Sequence, residues 1–163
     1  MPDERPVLLI DGMNIFCQAW YAFQAFSASG KNMGGYAGVL SMVSRYIHEM
    51  SPSAVYIMWE RNSAVTRQQI LPEYKSTRKL GSASERHDRA EQLLAITRTF
   101  KHTPVCQIYI DGCEGDDVIA YLCKHVFIGK QKIIISTDKD FYQLLDSSTT
   151  IYSPIRKVYI SAE

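Results

Sequence analysis

The sequence has few cysteines and no arrangement of them that would suggest a disulfide framework or a zinc site. Its four cysteines form no C-x-x-C pair and show no zinc-type spacing with the four histidines. We interpret them as reduced, partly buried thiols of an intracellular protein. The sequence also has no long apolar run, and it opens with Met-Pro-Asp-Glu-Arg-Pro instead of an apolar segment. It therefore predicts neither a secretion signal nor a membrane span.

The chain also lacks a strong net charge and a nucleotide-binding motif. Its 163 residues carry a formal net charge of +1, so the overall charge does not indicate a nucleic-acid partner. There is no G-x-G-x-x-G or Walker pattern, and we predict no nucleotide cofactor. A chain of this length is typical of one domain with a substantial core, and we expect residues 1–163 to form a single domain.

Apolar, β-branched runs alternate with segments of helical periodicity. Four buried strands are predicted, at residues 7–10, 54–59, 107–110 and 132–136. Helices are predicted at residues 14–26, 36–50, 82–99 and 116–127, with a loop at 27–35, a short helix ending at Leu145 and two short strands at 149–152 and 157–160. This alternation predicts an α/β fold with a parallel central sheet and helices on both faces.

Acidic residues follow all four predicted strands. Because the carboxyl ends of parallel strands meet at one edge of a sheet, these acids are expected to lie together. Two carboxylates ~5 Å apart at an effective dielectric of ~20 repel by roughly 3 kcal/mol, and a helix N-terminus offsets only about 0.3–1 kcal/mol. A divalent cation among them is the simplest compensation. The predicted metal ligands are Asp11, Glu60, Glu114, Asp116, Asp117, Asp138 and Asp140.

Oxygen ligands without histidine or cysteine favour Mg²⁺ or Mn²⁺ over zinc. Two such ions about 4 Å apart can activate a water molecule and stabilise the leaving oxygen of a phosphodiester. We therefore expect two ions. The aromatic residues Trp20, Tyr21 and Phe23 lie on an early predicted helix, and we interpret them as core.

Basic residues are concentrated between Arg61 and Lys101, next to the second acidic strand end in the sequence. Such clustering is typical of phosphate binding. Arg86, Arg89 and Arg98 also fit a solvated helix face. The residues predicted to contact nucleic acid are Arg67, Tyr74, Lys75, Arg78 and Lys79, with Tyr74 as a stacking side chain.

Five segments occur in the order found in the 5′-nuclease family. That family includes flap endonucleases, the 5′-nuclease domain of bacterial DNA polymerase I and phage 5′–3′ exonucleases. The segments are Asp11-Gly12, Trp59-Glu60, Leu71-Pro-Glu-Tyr-Lys75-Ser-Thr-Arg78, Glu114-Gly-Asp-Asp117 and Ser136-Thr-Asp-Lys-Asp140-Phe-Tyr-Gln-Leu-Leu145. From Val7 to about Ile160 the sequence resembles the phage and bacterial branch. The resemblance implies a PIN-like, Rossmann-like domain with a basic helical-arch segment at about 61–90.

The resemblance also implies an activity. Members are metal-dependent 5′–3′ exonucleases or flap endonucleases that hydrolyse DNA, and RNA primers, near 5′ ends and branch points during replication and repair. The metal-binding acids of the family match Asp11, Glu114, Asp116, Asp138 and Asp140, and Asp117 matches an extra acid of the bacterial branch. Lys75 and Arg78 match the basic pair at the base of the arch. With Asp11 and Asp138 they are the predicted catalytic residues. A cytoplasmic location, in a bacterial cell or a phage-infected host, is implied as well.

The sequence departs from the family pattern in three places. Glu60 stands where the family usually has aspartate, and Gln18 stands where many relatives carry arginine. The sequence also ends at Glu163, before the helix-hairpin region with which relatives grip duplex DNA. We therefore keep a second hypothesis, a branched-DNA-binding module that is inactive until a second chain supplies that region. A PIN-like ribonuclease is a third hypothesis, which the arch segment argues against.

Overall fold

The computed structural model describes residues 4–60 and 81–162, and the structural statements below concern those residues. The elements in chain order are β1 (Val7–Asp11), α1 (Gly12–Ala22), α2 (Gly34–Met50), β2 (Ala54–Met58), α3 (Ala83–Phe100), β3 (Cys106–Ile108), α4 (Gly115–Tyr121), a π-helical turn (Leu122–Val126), β4 (Lys132–Ile135), a 3₁₀ helix (Lys139–Leu144), β5 (Thr149–Ser153) and β6 (Val158–Ile160).

The six strands form one sheet in the order β3-β2-β1-β4-β5-β6. Strands β1 to β5 pair in parallel, and β6 runs antiparallel to β5. The central strand β1 lies between β2 and β4, so that Leu9 faces Tyr56 on one side and Ile134 on the other. The four strands that acids follow are therefore neighbours in space. The predicted α/β fold with a mainly parallel central sheet is confirmed.

Helices cover both faces of the sheet, as predicted. Leu8 and Ile10 of β1 point into a core shared with α1, α2 and α3. Val7 and Leu9 point the opposite way, into a second core that contains Val118 of α4 and the 3₁₀ helix. Burial on both sides explains why β1 is apolar at every position before Asp11. No helix in the described part of the chain is long and apolar enough to cross a membrane.

The structure differs from the sequence prediction around the first two helices. The predicted helix at 14–26 ends at Ala22, because Phe23 adopts an extended conformation and its N–H donates to the carbonyl of Ala19. Gly34 and Gly35, which predicted a loop, form the first turn of α2. A Cβ on Gly34 would lie 2.2 Å from the carbonyl oxygen of Phe23, so glycine is needed there for close approach of two backbones.

Candidate metal centre at the carboxyl edge of the sheet

Asp11 ends β1 and caps α1. Its Oδ1 accepts the backbone N–H of Asn14 at 3.0 Å, which is the usual capping bond of a helix N-terminus. Its Oδ2 accepts the hydroxyl of Ser136, from the end of β4, at 3.1 Å. Both carboxylate oxygens are therefore fixed in direction by neighbouring elements of the sheet edge.

Burial raises the pKa of Asp11 from its ordinary value of 3.8 to about 6. The hydrogen bonds from Asn14 and Ser136 oppose this change, while the carboxylates of Glu60 and Asp116 add to it through like-charge repulsion. The acids that follow β1, β2 and β3 thus interact electrostatically. An added cation would stabilise the ionised carboxylate at this position.

Gly12 lets the start of α1 lie against the end of β2. A Cβ at this position would lie 2.5 Å from the indole ring of Trp59 and 2.6 Å from the carbonyl oxygen of Met58. Any larger residue would push β2 and α1 apart. Exposed Glu60 directly follows Trp59 at this contact.

The third group of acids surrounds the N-terminus of α4. Glu114 is the N-cap residue and is 2% exposed, whereas Asp117 is exposed and Asp116 is partly exposed. The N–H of Asp117 donates to Asp116 Oδ1 at 2.8 Å, and the N–H of Glu114 donates to Asp117 Oδ2 at 3.4 Å. The helix N-terminus partly stabilises these charges.

Asp138 and Asp140 open the 3₁₀ helix that follows β4, and both are exposed. Asp138 Oδ1 accepts the N–H of Asp140 at 2.9 Å. The N–H of Asp138 donates to Ser136 Oγ at 3.1 Å, and that hydroxyl in turn donates to Asp11. Buried Ser136 therefore links the acids of β1 and β4 directly.

A second link between these two strand ends involves Asn14 and Thr137. Asn14 Nδ2 donates to Thr137 Oγ1 at 2.9 Å, and the N–H of Thr137 donates to Asn14 Oδ1 at 3.2 Å. Gln18, at the position where the resemblance led us to expect arginine, donates its amide to the same Asn14 oxygen. Sequence reasoning missed Asn14, Ser136 and Thr137. Their proximity to Asp11 and Asp138 in the sequence was the available signal.

Within residues 4–60 and 81–162, no three Cys, His, Asp or Glu side chains are grouped closely enough to form a ready metal site. The predicted ligands there act as helix caps or point to solvent, as mutual repulsion of carboxylates would favour. Their chemistry nonetheless fits a hard cation, since carboxylate oxygens are the ligands that Mg²⁺ and Mn²⁺ prefer. The edge supplies oxygen donors from four neighbouring strands.

The other predicted site residues lie outside the described part of the chain. Arg67, Tyr74, Lys75, Arg78 and Lys79 all fall between residues 61 and 80, and they stay predictions. Of the predicted arch segment, the structure describes residues 81–90, where α3 begins.

The aromatic residues at the end of α1 are not all core residues. Tyr21 is 74% exposed and Phe23 is 36% exposed, so the interpretation of both as core is wrong. They line a groove of about 610 Å³ that also includes Asn14, Arg45 and Lys157. The physical reason is that α1 ends at Ala22, which leaves these rings at the rim of the helical layer.

Comparison with known proteins agrees with the family resemblance of the sequence motifs. Residues 6–163 match the family described as the 5′-3′ exonuclease, N-terminal resolvase-like domain. The chain is 28% identical over 150 residues to a DNA polymerase I of Pseudomonas aeruginosa, covering 91% of this chain and 16% of that protein. It is 31% identical over 141 residues to a 5′-3′ exonuclease of Buchnera aphidicola subsp. Baizongia pistaciae, covering 85% of this chain and 45% of the relative.

A solved structure has the same fold. A bacteriophage T5 flap endonuclease, in a pseudo-enzyme-product complex with DNA and metal ions, superposes with a TM-score of 0.69 at 21% identity. The match covers 96% of this chain and 58% of that one. At this level of identity the likeness establishes the fold alone. The chain spans less than half the length of both curated relatives described above.

Proposed function

Because the chain belongs to the family of 5′-3′ exonuclease N-terminal, resolvase-like domains, we propose that it hydrolyses DNA phosphodiesters near 5′ ends and branch points. DNA with free 5′ ends, flaps or RNA primers would be the substrate. Residues 1–163 would form one catalytic domain that works in the cytoplasm. The family match, with sequence relatives that carry the names 5′-3′ exonuclease and DNA polymerase I, supports this proposal.

The observation that carries the proposal is the state of Asp11. Its pKa is raised to about 6, first by burial, and the carboxylates of Glu60 and Asp116 raise it further. A buried carboxyl whose pKa is raised by burial and by neighbouring carboxylates is a candidate for a functional group. Its place at the carboxyl edge of a parallel sheet agrees with where α/β proteins bind ligands.

Asp11, Glu114, Asp116 and Asp138 would hold Mg²⁺ or Mn²⁺, and Glu60, Asp117 and Asp140 would complete the coordination of two ions. Bound ions of this kind lower the pKa of coordinated water and neutralise charge on a phosphodiester. Ser136 and Asn14 join the ends of β1 and β4, since the Ser136 hydroxyl donates to Asp11 and accepts the N–H of Asp138, and Asn14 donates to Thr137. Lys75 and Arg78 would bind the scissile phosphate and stabilise the charge that develops on it.

The direct test is cleavage of a labelled 5′-flap duplex with and without Mg²⁺ or Mn²⁺. We expect cleavage that needs the metal and is lost in Asp138→Asn. The matched control is Asp146→Asn. Asp146 is also exposed, but it lies in the turn before β5, remote from Asp11 in the sheet, and its carboxylate accepts hydrogen bonds from Ser148. Equal activity of wild type and Asp138→Asn would refute the proposed role of the acids.

A second candidate function is a branched-DNA-binding module that needs a further chain to complete its site. One observation favours it: Asp11, Glu114 and Asp138, three of the predicted metal ligands, are N-cap residues in the structure. A gel shift with Ca²⁺ in place of Mg²⁺ measures DNA binding without cleavage. Cleavage that appears only after a helix-hairpin partner is added would support this second function over the first.

A further inference from the structure

A small cavity lies at the carboxyl ends of β4 and β5. Ser136 directly follows β4, and its N–H donates to Tyr152 O of β5 at 3.3 Å. Ser153 is the last residue of β5. Both serines are buried and line the cavity, which has a volume of about 200 Å³. Crevices outside the carboxyl ends of parallel strands are where open α/β sheets bind ligands.

The lining of this cavity is basic, although acids are its neighbours in the sequence. Lys139 and Arg156 line it, and none of the described residues that line it is acidic. Lys139 stands between the predicted metal ligands Asp138 and Asp140, which do not belong to the lining. Among the described residues, neither Lys139 nor Arg156 forms an ion pair. Two cations thus share one cavity without a carboxylate partner in this part of the chain.

Arg156 extends from a short, closed turn between β5 and β6. The turn covers residues 154–157, and the N–H of Lys157 closes it by donating to Ser153 O at 2.8 Å. Lys157 has a φ of +54°, a left-handed conformation that is uncommon for residues other than glycine. Such conformations persist where the surrounding structure holds them. The turn therefore fixes the backbone from which the Arg156 side chain reaches the cavity.

Lys139 and Arg156 are the groups in this cavity that are available to an anion. The hydroxyls of Ser136 and Thr137, which also line it, already donate to side chains of β1 and α1. The phenol of Tyr142, which is 38% exposed, is a further donor. A guanidinium, an ammonium and a hydroxyl in one cavity are donors suited to a phosphate group.

We propose that Lys139 and Arg156 form a subsite for one backbone phosphate of the substrate strand, beside the phosphate at the acids. Asp11 and Asp138 lie at the ends of β1 and β4, whereas the cavity lies at the ends of β4 and β5. Neighbouring strands are about 4.8 Å apart, and phosphates of one DNA strand are spaced by about 3.4 Å along the helix axis. The subsite is therefore about one or two phosphates from the acids. The choice of DNA as ligand rests on the proposed function.

The first test measures binding of a labelled 5′-flap duplex by fluorescence anisotropy, with Ca²⁺ in place of Mg²⁺. Lys139→Gln and Arg156→Gln each remove one charge. The control is Lys130→Gln, because Lys130 is also exposed but precedes β4, at the opposite end of that strand. Each subsite variant should raise Kd about five- to tenfold and lower the slope of log Kd against log salt concentration by about 0.7–1. The control should match wild type. Wild-type binding by either subsite variant would refute the subsite.

The second test identifies the phosphate. Flap substrates with a single uncharged methylphosphonate linkage remove one phosphate charge at a time near the cleavage junction. At the linkage bound by the subsite, this change should weaken wild type about five- to tenfold and Lys139→Gln by less than about twofold, because the protein partner is already absent. Equal losses in both proteins at every linkage would refute a backbone-phosphate subsite. A difference confined to removal of the 5′-terminal phosphate would also refute it and would assign the cavity to that terminal group.

Two measurements separate the subsite from the metal centre and from the proposed function. Mn²⁺ affinity of Lys139→Gln should be no weaker than that of wild type, since loss of a cation leaves the attraction of the acids for a metal intact. A weaker affinity would show that the variant acts through the acids, and would refute the subsite. If wild type binds flap DNA without metal-dependent cleavage, the proposed hydrolysis fails while the binding measurements still decide the subsite. If wild type does not bind flap DNA, both fail.

Discussion

Replacing Asp11 with asparagine is expected to stabilise the metal-free protein at neutral pH. Burial, with like charges on Glu60 and Asp116, raises the pKa of this carboxyl from 3.8 to about 6. At pH 7.5 the folded protein therefore holds an ionised group in surroundings that favour its neutral form. Asparagine has nearly the same shape and no charge, so it removes this penalty while it removes a predicted metal ligand.

The magnitude follows from the pKa and from two hydrogen bonds. A rise from 3.8 to about 6 corresponds to about 3 kcal/mol of lost stability once the group is ionised in both the folded and the unfolded state. The amide oxygen of asparagine can still accept the N–H of Asn14. The buried Ser136 hydroxyl loses its acceptor, which costs about 1–2 kcal/mol. The variant should gain about 1–2 kcal/mol in the free energy of unfolding.

The raised pKa determines how the contribution of Asp11 to stability changes with pH. Between pH 4 and 6 the folded state binds the Asp11 proton more tightly than the unfolded state, so this residue makes wild-type stability fall as the pH rises through that range. The asparagine variant should lack this contribution. Urea unfolding in EDTA, at pH 4 and at pH 7.5, measures the contribution of Asp11 as the difference in the free energy of unfolding between wild type and the variant.

Asp146→Asn is the control, because the surroundings of Asp146 lower its pKa whereas those of Asp11 raise it. The backbone N–H of Ser148 lowers the pKa of Asp146, so its ionised form stabilises the fold above its ordinary pKa. This variant should gain nothing at pH 7.5. A lower stability of Asp11→Asn than of wild type at pH 7.5 would refute the destabilising charge on Asp11. The same difference in the free energy of unfolding at both pH values would refute it as well.

Three further predictions concern packing and reactivity. Gly12→Ala should lower the free energy of unfolding, measured by urea denaturation, by about 2–3 kcal/mol, because the new Cβ would lie 2.5 Å from an indole carbon of Trp59. A loss under 0.5 kcal/mol would contradict the close approach of α1 and β2. Ser136→Ala should raise the pKa of Asp11 further, since the lost hydrogen bond lowers that pKa, and an unchanged carboxyl titration by NMR would contradict the link. Cys123 should resist a thiol reagent at pH 8 while exposed Cys106 reacts, because burial raises the pKa of the Cys123 thiol to about 11. Equal labelling of the two cysteines in mass spectrometry would contradict the burial of Cys123.

Much of the fold could be predicted from local sequence. The continuous apolar character of residues 7–10 reflects burial on both faces, and β1 begins within that run. The order of strands could not be predicted, because pairing of β1 with both β2 and β4 depends on long-range contacts. The end of α1 was also missed. Aromatic residues beyond Ala22 continue the helical pattern, while their exposure is decided by the connection to α2.

The candidate site was likewise predictable from the sequence only in part. The acids at strand ends were visible in the sequence because parallel strands bring their carboxyl ends together. The uncharged groups that hold them were not visible, since Asn14 and Thr137 are 123 residues apart and carry no motif. Arg89 forms the kind of i,i+4 pair that its sequence pattern predicts, with Glu85 at 3.8 Å, but its side chain is only 26% exposed. The long-range contact, 5.3 Å from the guanidinium carbon to the ring centre of Trp20, could not be predicted from the local pattern.

The proposed function depends on divalent cations that bind to the acids at the carboxyl edge of the sheet. Mn²⁺ binding, followed by electron paramagnetic resonance of the free ion, tests this without DNA. We predict that wild type binds Mn²⁺ and that Asp11→Asn and Asp138→Asn each weaken the affinity at least tenfold, whereas Asp146→Asn binds as wild type does. Equal Mn²⁺ affinity in all four proteins would contradict metal binding by these acids.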